Sequence, residues 1–198
     1  MCHVIGYAGR QEARPRLVDG LARLEFDAPE CSGVCLLGGG GLELFRAVGR
    51  TETLRVRVNG GNGTVATAGI ATTRGRVFEH PVVAGDVAVA FHGSISNRAP
   101  SLTDEELIAK LIADAYDGDL GVAVRAAYTQ LEGHFAFLAM HDDEPGTVAA
   151  ARRECILLAW IGEGEIYLTS SRAAFSGREV VPIESVSVAS AAGLLVPA

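Results

Sequence analysis

Lysine is almost absent from this chain. Lys110 stands alone among 17 basic residues, the rest being arginine. Lysine-based chemistry is therefore excluded unless Lys110 carries it. Basic charge is scarce overall, because 24 acidic residues outweigh it and leave a formal net charge of -7. Nucleic-acid binding needs clustered Lys and Arg against phosphate, so it is not expected here. Long apolar runs are missing too. The longest uncharged C-terminal stretch, residues 185–198, is too short to span a bilayer and is rich in Ser, Gly and Ala. The N-terminus has no basic region followed by an apolar one, so no signal peptide is read and a cytoplasmic protein is expected. Cysteine occurs at positions 2, 31, 35 and 155. Cys31 and Cys35 are spaced C-x3-C with no second ligand pair, which argues against a zinc site. Cys31, Cys35 and Cys155 read as small buried hydrophobes. No G-x-G-x-x-G follows a strand, which argues against a dinucleotide fold.

What remains is a chain of 198 residues with 48% hydrophobic side chains. That is enough to bury a core without staples, and too apolar for global disorder. No linker, charge block or repeat divides it, so residues 1–198 are expected to form a single domain. A strand is expected at 1–7, a helix at 12–24 and a hairpin from 32–37 and 42–48. Gly38 to Gly41 and residues 59–63 read as turns between strands. Strands are expected at 64–72 and 86–91, with Val87, Val89 and Phe91 on one face. Thr103 followed by Asp104, Glu105 and Glu106 reads as a capped helix start. Leu107, Ile108, Leu111 and Ile112 continue at helical spacing. A second helix is expected at 120–131. Strands follow at 134–140, 147–151, 156–161, 166–169, 178–182, 186–189 and 194–196, with a turn at Glu163-Gly164. Strands, then two helices, then strands imply two sheets with helices packed outside them, an α+β architecture.

The most informative residue is Cys2. Its small side chain permits removal of Met1, leaving a thiol and a free α-amine on one residue. That amine has an ordinary pKa of roughly 7.7–8.0 and so serves as a base at neutral pH. An amine beside its own nucleophile is a recognised way to activate a thiol.

The surrounding motifs resemble the class II glutamine amidotransferases, most closely their glutaminase domain in glucosamine-6-phosphate synthase. Met-Cys-His-Val-Ile-Gly-Tyr at 1–7 resembles Met-Cys-Gly-Ile-Val-Gly-Tyr. Leu21 to Glu25 with Ser32-Gly33 resembles the segment before the family's second strand. Gly69-Ile-Ala-Thr-Thr-Arg74 resembles Gly-Ile-Gly-His-Thr-Arg. Phe91-His-Gly-Ser-Ile-Ser-Asn97 resembles His-Asn-Gly-Ile-Ile-Glu-Asn, and Ser101-Leu-Thr-Asp104 resembles Ser-Glu-Thr-Asp. Leu131-Glu-Gly-His-Phe-Ala and the Gly162-Glu-Gly-Glu turn also match. Order and spacing hold over nearly the whole chain.

The resemblance implies a four-layer αββα sandwich of the N-terminal-nucleophile hydrolase type. It implies Cys2 as the nucleophile that attacks the side-chain amide of glutamine, giving glutamate and ammonia. Arg74 would hold the substrate α-carboxylate, Asp104 the α-ammonium, and the Gly93 N–H would form half of an oxyanion hole. No cofactor is implied. The ammonia acceptor would be a separate synthase subunit.

The chain departs from the family at several of these motifs. His92 stands where the family has the oxyanion-hole Asn, and Phe91 replaces the preceding histidine. Gly75 to Glu79 shorten the loop that closes over glutamine. Asp27 replaces an arginine near the nucleophile, which would raise the thiol pKa. His3 replaces the glycine after Cys2. A working glutaminase with a modified pocket, a hydrolase of another amide, and a catalytically altered or inactive paralogue that binds an amino acid or a protein partner all stay open. His3, His80 and His92 are the histidines that folding would have to gather for a metal; the expectation is that no metal binds. His134 and His141 read as solvated or core histidines, and Ser170-Ser171-Arg172 as a cap-like junction without a catalytic role.

Overall fold

The computed structural model describes residues 3–25, 31–61, 65–74, 80–175, 177–191 and 195–197, and at position 74 the backbone alone. The chain runs β1 (His3–Gly9), α1 (Ala13–Arg23), β2 (Cys31–Gly38), β3 (Gly41–Val48), α2 (Thr51–Asn59), β4 (Ala66–Arg74), β5 (Val82–Ala84) and β6 (Val87–Ile95). It continues with α3 (Asp104–Ala115), α4 (Leu120–Gln130), β7 (Gly133–His141), β8 (Thr147–Arg153), β9 (Leu158–Gly162) and β10 (Glu165–Thr169). A 3-10 turn (Arg172–Phe175), β11 (Val181–Pro182), β12 (Val186–Ser190) and β13 (Leu195–Pro197) close it.

The strands form two antiparallel sheets. One has seven strands in the order β11-β9-β10-β1-β4-β2-β3; the other has six, β13-β12-β8-β7-β6-β5. Period-2 alternation sorts their side chains. On β6, Ala88 and Ala90 face the other sheet, while Val87, Val89 and Phe91 face α3 and α4. On β1, Val4 and Ala8 face the other sheet, while Ile5 and Tyr7 face α1 and α2. The inter-sheet layer is rich in alanine, which lets the sheets approach closely. The bulky rings of Phe91, Phe135 and Phe137 sit under the helices instead. The result is the αββα stack of four layers expected from the sequence, α1 and α2 covering one outer face and α3 and α4 the other.

The expectation for residues 59–63 needs correction. Asn59 is the last residue of α2, so the described part of that turn, residues 60–61, follows a helix rather than a strand. Helix α2 buries Thr51, Leu54 and Val58, a helical spacing, and leaves Val56 70% exposed. Its Leu54-x-Val56-x-Val58 alternation reads as a strand, and its N-cap residue Arg50 makes no side-chain cap; the distant Glu25 Oε2 accepts from the Thr51 N–H instead, at 3.2 Å. Packing of one narrow face against β3 and α1 decides the matter.

α3 forms as the sequence predicts. Thr103 Oγ1 accepts from the Glu106 N–H at 3.2 Å, and Glu106 Oε2 accepts from the Thr103 N–H at 2.7 Å. This reciprocal box satisfies two donors at the helix start. It also sets where Asp104 and Glu105 point.

Candidate functional site

The strand that follows the expected nucleophile is clamped on both sides. His3 pairs with Thr73 of β4, and Thr72 Oγ1 donates to the His3 carbonyl at 2.9 Å. Beyond β10, Ser170 Oγ accepts from the Val4 N–H at 3.0 Å, and the Ser170 N–H donates to the Val4 carbonyl at 3.1 Å. Sequence reasoning assigned Ser170 only a cap. Its partner lies 166 positions away, so no local pattern signals the role. Cys2, Asp27 and Gly75 to Glu79 lie outside the described residues. Arg74 is the last residue of β4, and its side chain is likewise outside the description.

β6 carries the next two predicted residues to the same end of the sandwich. Gly93 has φ +119, and a Cβ there would lie 2.2 Å from the His134 carbonyl oxygen. Only glycine fits, on both conformational and steric grounds. His92 is half-buried beside it. His3 is buried, and its Nδ1 has no hydrogen-bond partner among the described residues. Burial, and then the neighbouring His92, push the His3 imidazole below its ordinary value of 6.5. The site thus carries two imidazoles near enough to oppose each other's charge.

The start of α3 completes the arrangement. Asp104 Oδ2 accepts from the Ile95 N–H at 3.4 Å, which ties the helix to the end of β6 two residues past Gly93. Asp104 Oδ1 lies 2.7 Å from Arg98 Nε, off the line of the N–H, as an ion pair. Glu105 is buried and lies 2.8 Å from His80 Nδ1. The His80 carbonyl occupies the space a Cβ on Gly33 would need, only 2.1 Å from that position. Gly33 is therefore required for this segment to cross β2. A cavity of about 370 Å³ opens here, lined by His80, Arg98, Ser101, Thr103, Asp104 and Glu105. Asp104 lines this cavity, whereas His92 and Gly93 are not among its lining residues.

The remaining candidates separate from this centre. His3 and His92 interact, but His80 pairs with Glu105, and no metal-holding group of three or more His, Cys, Asp and Glu occurs among the described residues. Buried His141 stacks on Tyr116 with ring centroids 3.5 Å apart, and His134 is exposed. Cys35 is fully buried, and desolvation pushes its thiol up to about 12. Cys31 and Cys155 are half-buried rather than buried. No helix among the described residues is long and apolar enough to cross a membrane.

Two stacked antiparallel sheets between helix layers, with a strand end, a positive-φ glycine and a helix start converging at one end, define an N-terminal-nucleophile hydrolase fold of the glutamine amidotransferase type. The chain is a homologue of the class II glutamine amidotransferases. It is 34% identical over 208 residues to glutamine–fructose-6-phosphate aminotransferase (isomerizing) of Mycolicibacterium smegmatis, covering 88% of this chain and 33% of that enzyme. The enzyme of the same name from Streptomyces coelicolor is 36% identical over 199 residues, covering 88% and 32%. The chain spans about a third of the length of these curated relatives. Among solved structures, glutamine phosphoribosylpyrophosphate amidotransferase from B. subtilis superposes with a TM-score of 0.79 at 20% identity, over 97% of this chain and 48% of that one. A glutamine aminotransferase class-II domain protein from Silicibacter pomeroyi superposes with a TM-score of 0.66 at 14% identity, over 97% and 96%. At these identities the superpositions speak for the fold. No protein-family model matches the chain.

Proposed function

We propose that residues 1–198 form one glutaminase-type domain that hydrolyses a side-chain carboxamide and releases ammonia. The Cys2 sulfur attacks the carboxamide carbon, the C–N bond breaks, and ammonia leaves with a proton delivered through the α-amine. Water then attacks the thioester, which frees the carboxylate and restores the thiol. The Gly93 N–H and the His92 imidazole donate to the oxyanion. His92 does so from whichever ring nitrogen carries its proton. Arg74 takes the substrate carboxylate through its guanidinium fork, and Asp104 marks the subsite for the group on the neighbouring carbon. The observation that carries this reading is the tether from Asp104 to the Ile95 N–H, which fixes the helix start two residues beyond Gly93. The chemistry needs a thiol, an amine and hydrogen-bond donors, and no cofactor or metal takes part in it. The ammonia acceptor is a separate synthase, and the protein works in the cytoplasm. The relatives named for fructose 6-phosphate give the chemical precedent for such an acceptor.

Intact mass and ammonia release from glutamine and related γ-carboxamides test the reading together. Loss of Met1 and ammonia release abolished by Cys2→Ala are expected. Retained Met1, or ammonia release indifferent to Cys2→Ala, would remove the nucleophile from the scheme.

A further inference from the structure

Asp104 is already neutralised from within the protein. One carboxylate oxygen lies 2.7 Å from Arg98 Nε and the other accepts from the Ile95 N–H. The guanidinium itself is held rather than free to swing. Its Nη1 donates to the Ala99 carbonyl at 3.2 Å and to the Leu102 carbonyl, so Arg98 folds its own loop back onto the helix start. No other carboxylate in the first turn of α3 can replace Asp104. Glu105 is buried against His80, and Glu106 is engaged by the Thr103 N–H. An incoming ammonium would have to displace a cation tethered six residues away, or sit beside it against like-charge repulsion.

Arg98 also faces the cavity, with its side chain about one-third exposed. Its Nη2 has no partner among the described residues. A guanidinium edge presents N–H groups suited to carboxylate or carbonyl oxygen. The cavity therefore offers a carboxylate whose charge is already opposed by a tethered cation, where an ammonium subsite would need that charge unopposed.

We propose that Arg98 determines specificity at this site and selects γ-carboxamides that lack a free α-ammonium, such as glutaramate or an N-acylated glutamine, over glutamine itself. The proposal rests on the assignment of Asp104 to the α-ammonium subsite. It separates Arg98 from a plain loop staple, because a staple would affect all ligands alike.

The test uses the full chain and two readouts. Calorimetry compares binding of glutarate and L-glutamate, which differ only in the α-ammonium. Ammonia release compares glutaramate with L-glutamine. The wild type is expected to bind glutarate at least tenfold more tightly than L-glutamate, and Arg98→Met, which keeps the stem but removes the charge, to reverse that order. The kcat/KM ratio for the two amides should shift in the same direction. Equal or tighter binding of L-glutamate by the wild type overturns the proposal without any variant, as does failure of both ligands to bind. Uniform weakening of both ligands in Arg98→Met also overturns it, in favour of a staple. The expected binding order without ammonia release from either amide would remove the hydrolase reading and leave the Arg98 assignment standing. Preferential hydrolysis of L-glutamine would do the opposite.

Discussion

His80 Nδ1 lies 2.8 Å from Glu105 Oε1, and both side chains are buried. One belongs to the segment that crosses Gly33 of β2, and the other to the first turn of α3. The pair therefore ties the helix that presents Asp104 to the opposite sheet. Breaking a buried hydrogen-bonding contact costs about 1–3 kcal/mol. Glu105→Leu should lower unfolding stability by about that amount in denaturant titrations. His80→Leu combined with Glu105→Leu should cost less than the sum of the two single changes. Strict additivity would show that the two groups do not stabilise one another.

The buried imidazole of His3 sets a pH dependence. Burial and His92 lower its pKa in the folded protein below the ordinary 6.5. The unfolded chain thus takes up a proton at a higher pH than the folded one. Linkage then makes stability fall as pH drops from 6.5 toward the folded-state pKa, while above 6.5 the group is neutral in both states and has no effect. Melting temperatures of the wild type and His3→Asn across this range should diverge on the acid side, the wild type losing more. Parallel curves would assign the acid sensitivity to other groups.

The oxyanion roles proposed for Gly93 and His92 can be tested separately. Gly93→Ala forces a Cβ into the His134 carbonyl and a non-glycine residue to φ +119. Ammonia release should fall by about 10² or more, accompanied by a lower melting temperature. His92→Ala removes a donor without that strain. It should lower kcat by about 10²–10³ with little change in melting temperature, while His92→Asn should retain most of the activity. An unchanged kcat in His92→Ala would show that the imidazole does not donate to the reacting oxygen.

The cysteines should differ sharply in reactivity. Cys35 is buried between the sheets with its thiol pushed up to about 12, so almost no thiolate exists at pH 8. Peptide mapping after iodoacetamide treatment of the native protein should find Cys2 modified first and Cys35 unmodified. A label on Cys35 under native conditions would mean that the inter-sheet layer opens readily.

Much of the scaffold was legible before the structure because its signals are local. The Thr103–Glu106 box spans one helical turn, and it forms as the spacing predicts. Alternation along β6 separates Val87, Val89 and Phe91 from Ala88 and Ala90, and those two sets face different layers. Helix α2 escaped because its local pattern points to a strand and only contact with β3 and α1 overrides it. The motif order around Cys2, Arg74, Gly93 and Asp104 placed the chain among class II glutamine amidotransferases, and sequence identity and fold agree. What the chain does to those motifs became visible only after folding. Ser170 meets Val4, His80 meets Glu105, and Arg98 turns back onto Asp104. The first two pairs join distant elements, and the third depends on how one loop bends. Periodicity and capping depend on neighbours within a turn or a strand. Partnerships between polar groups depend on which chain segments the two sheets bring together, and no one-dimensional spacing encodes that.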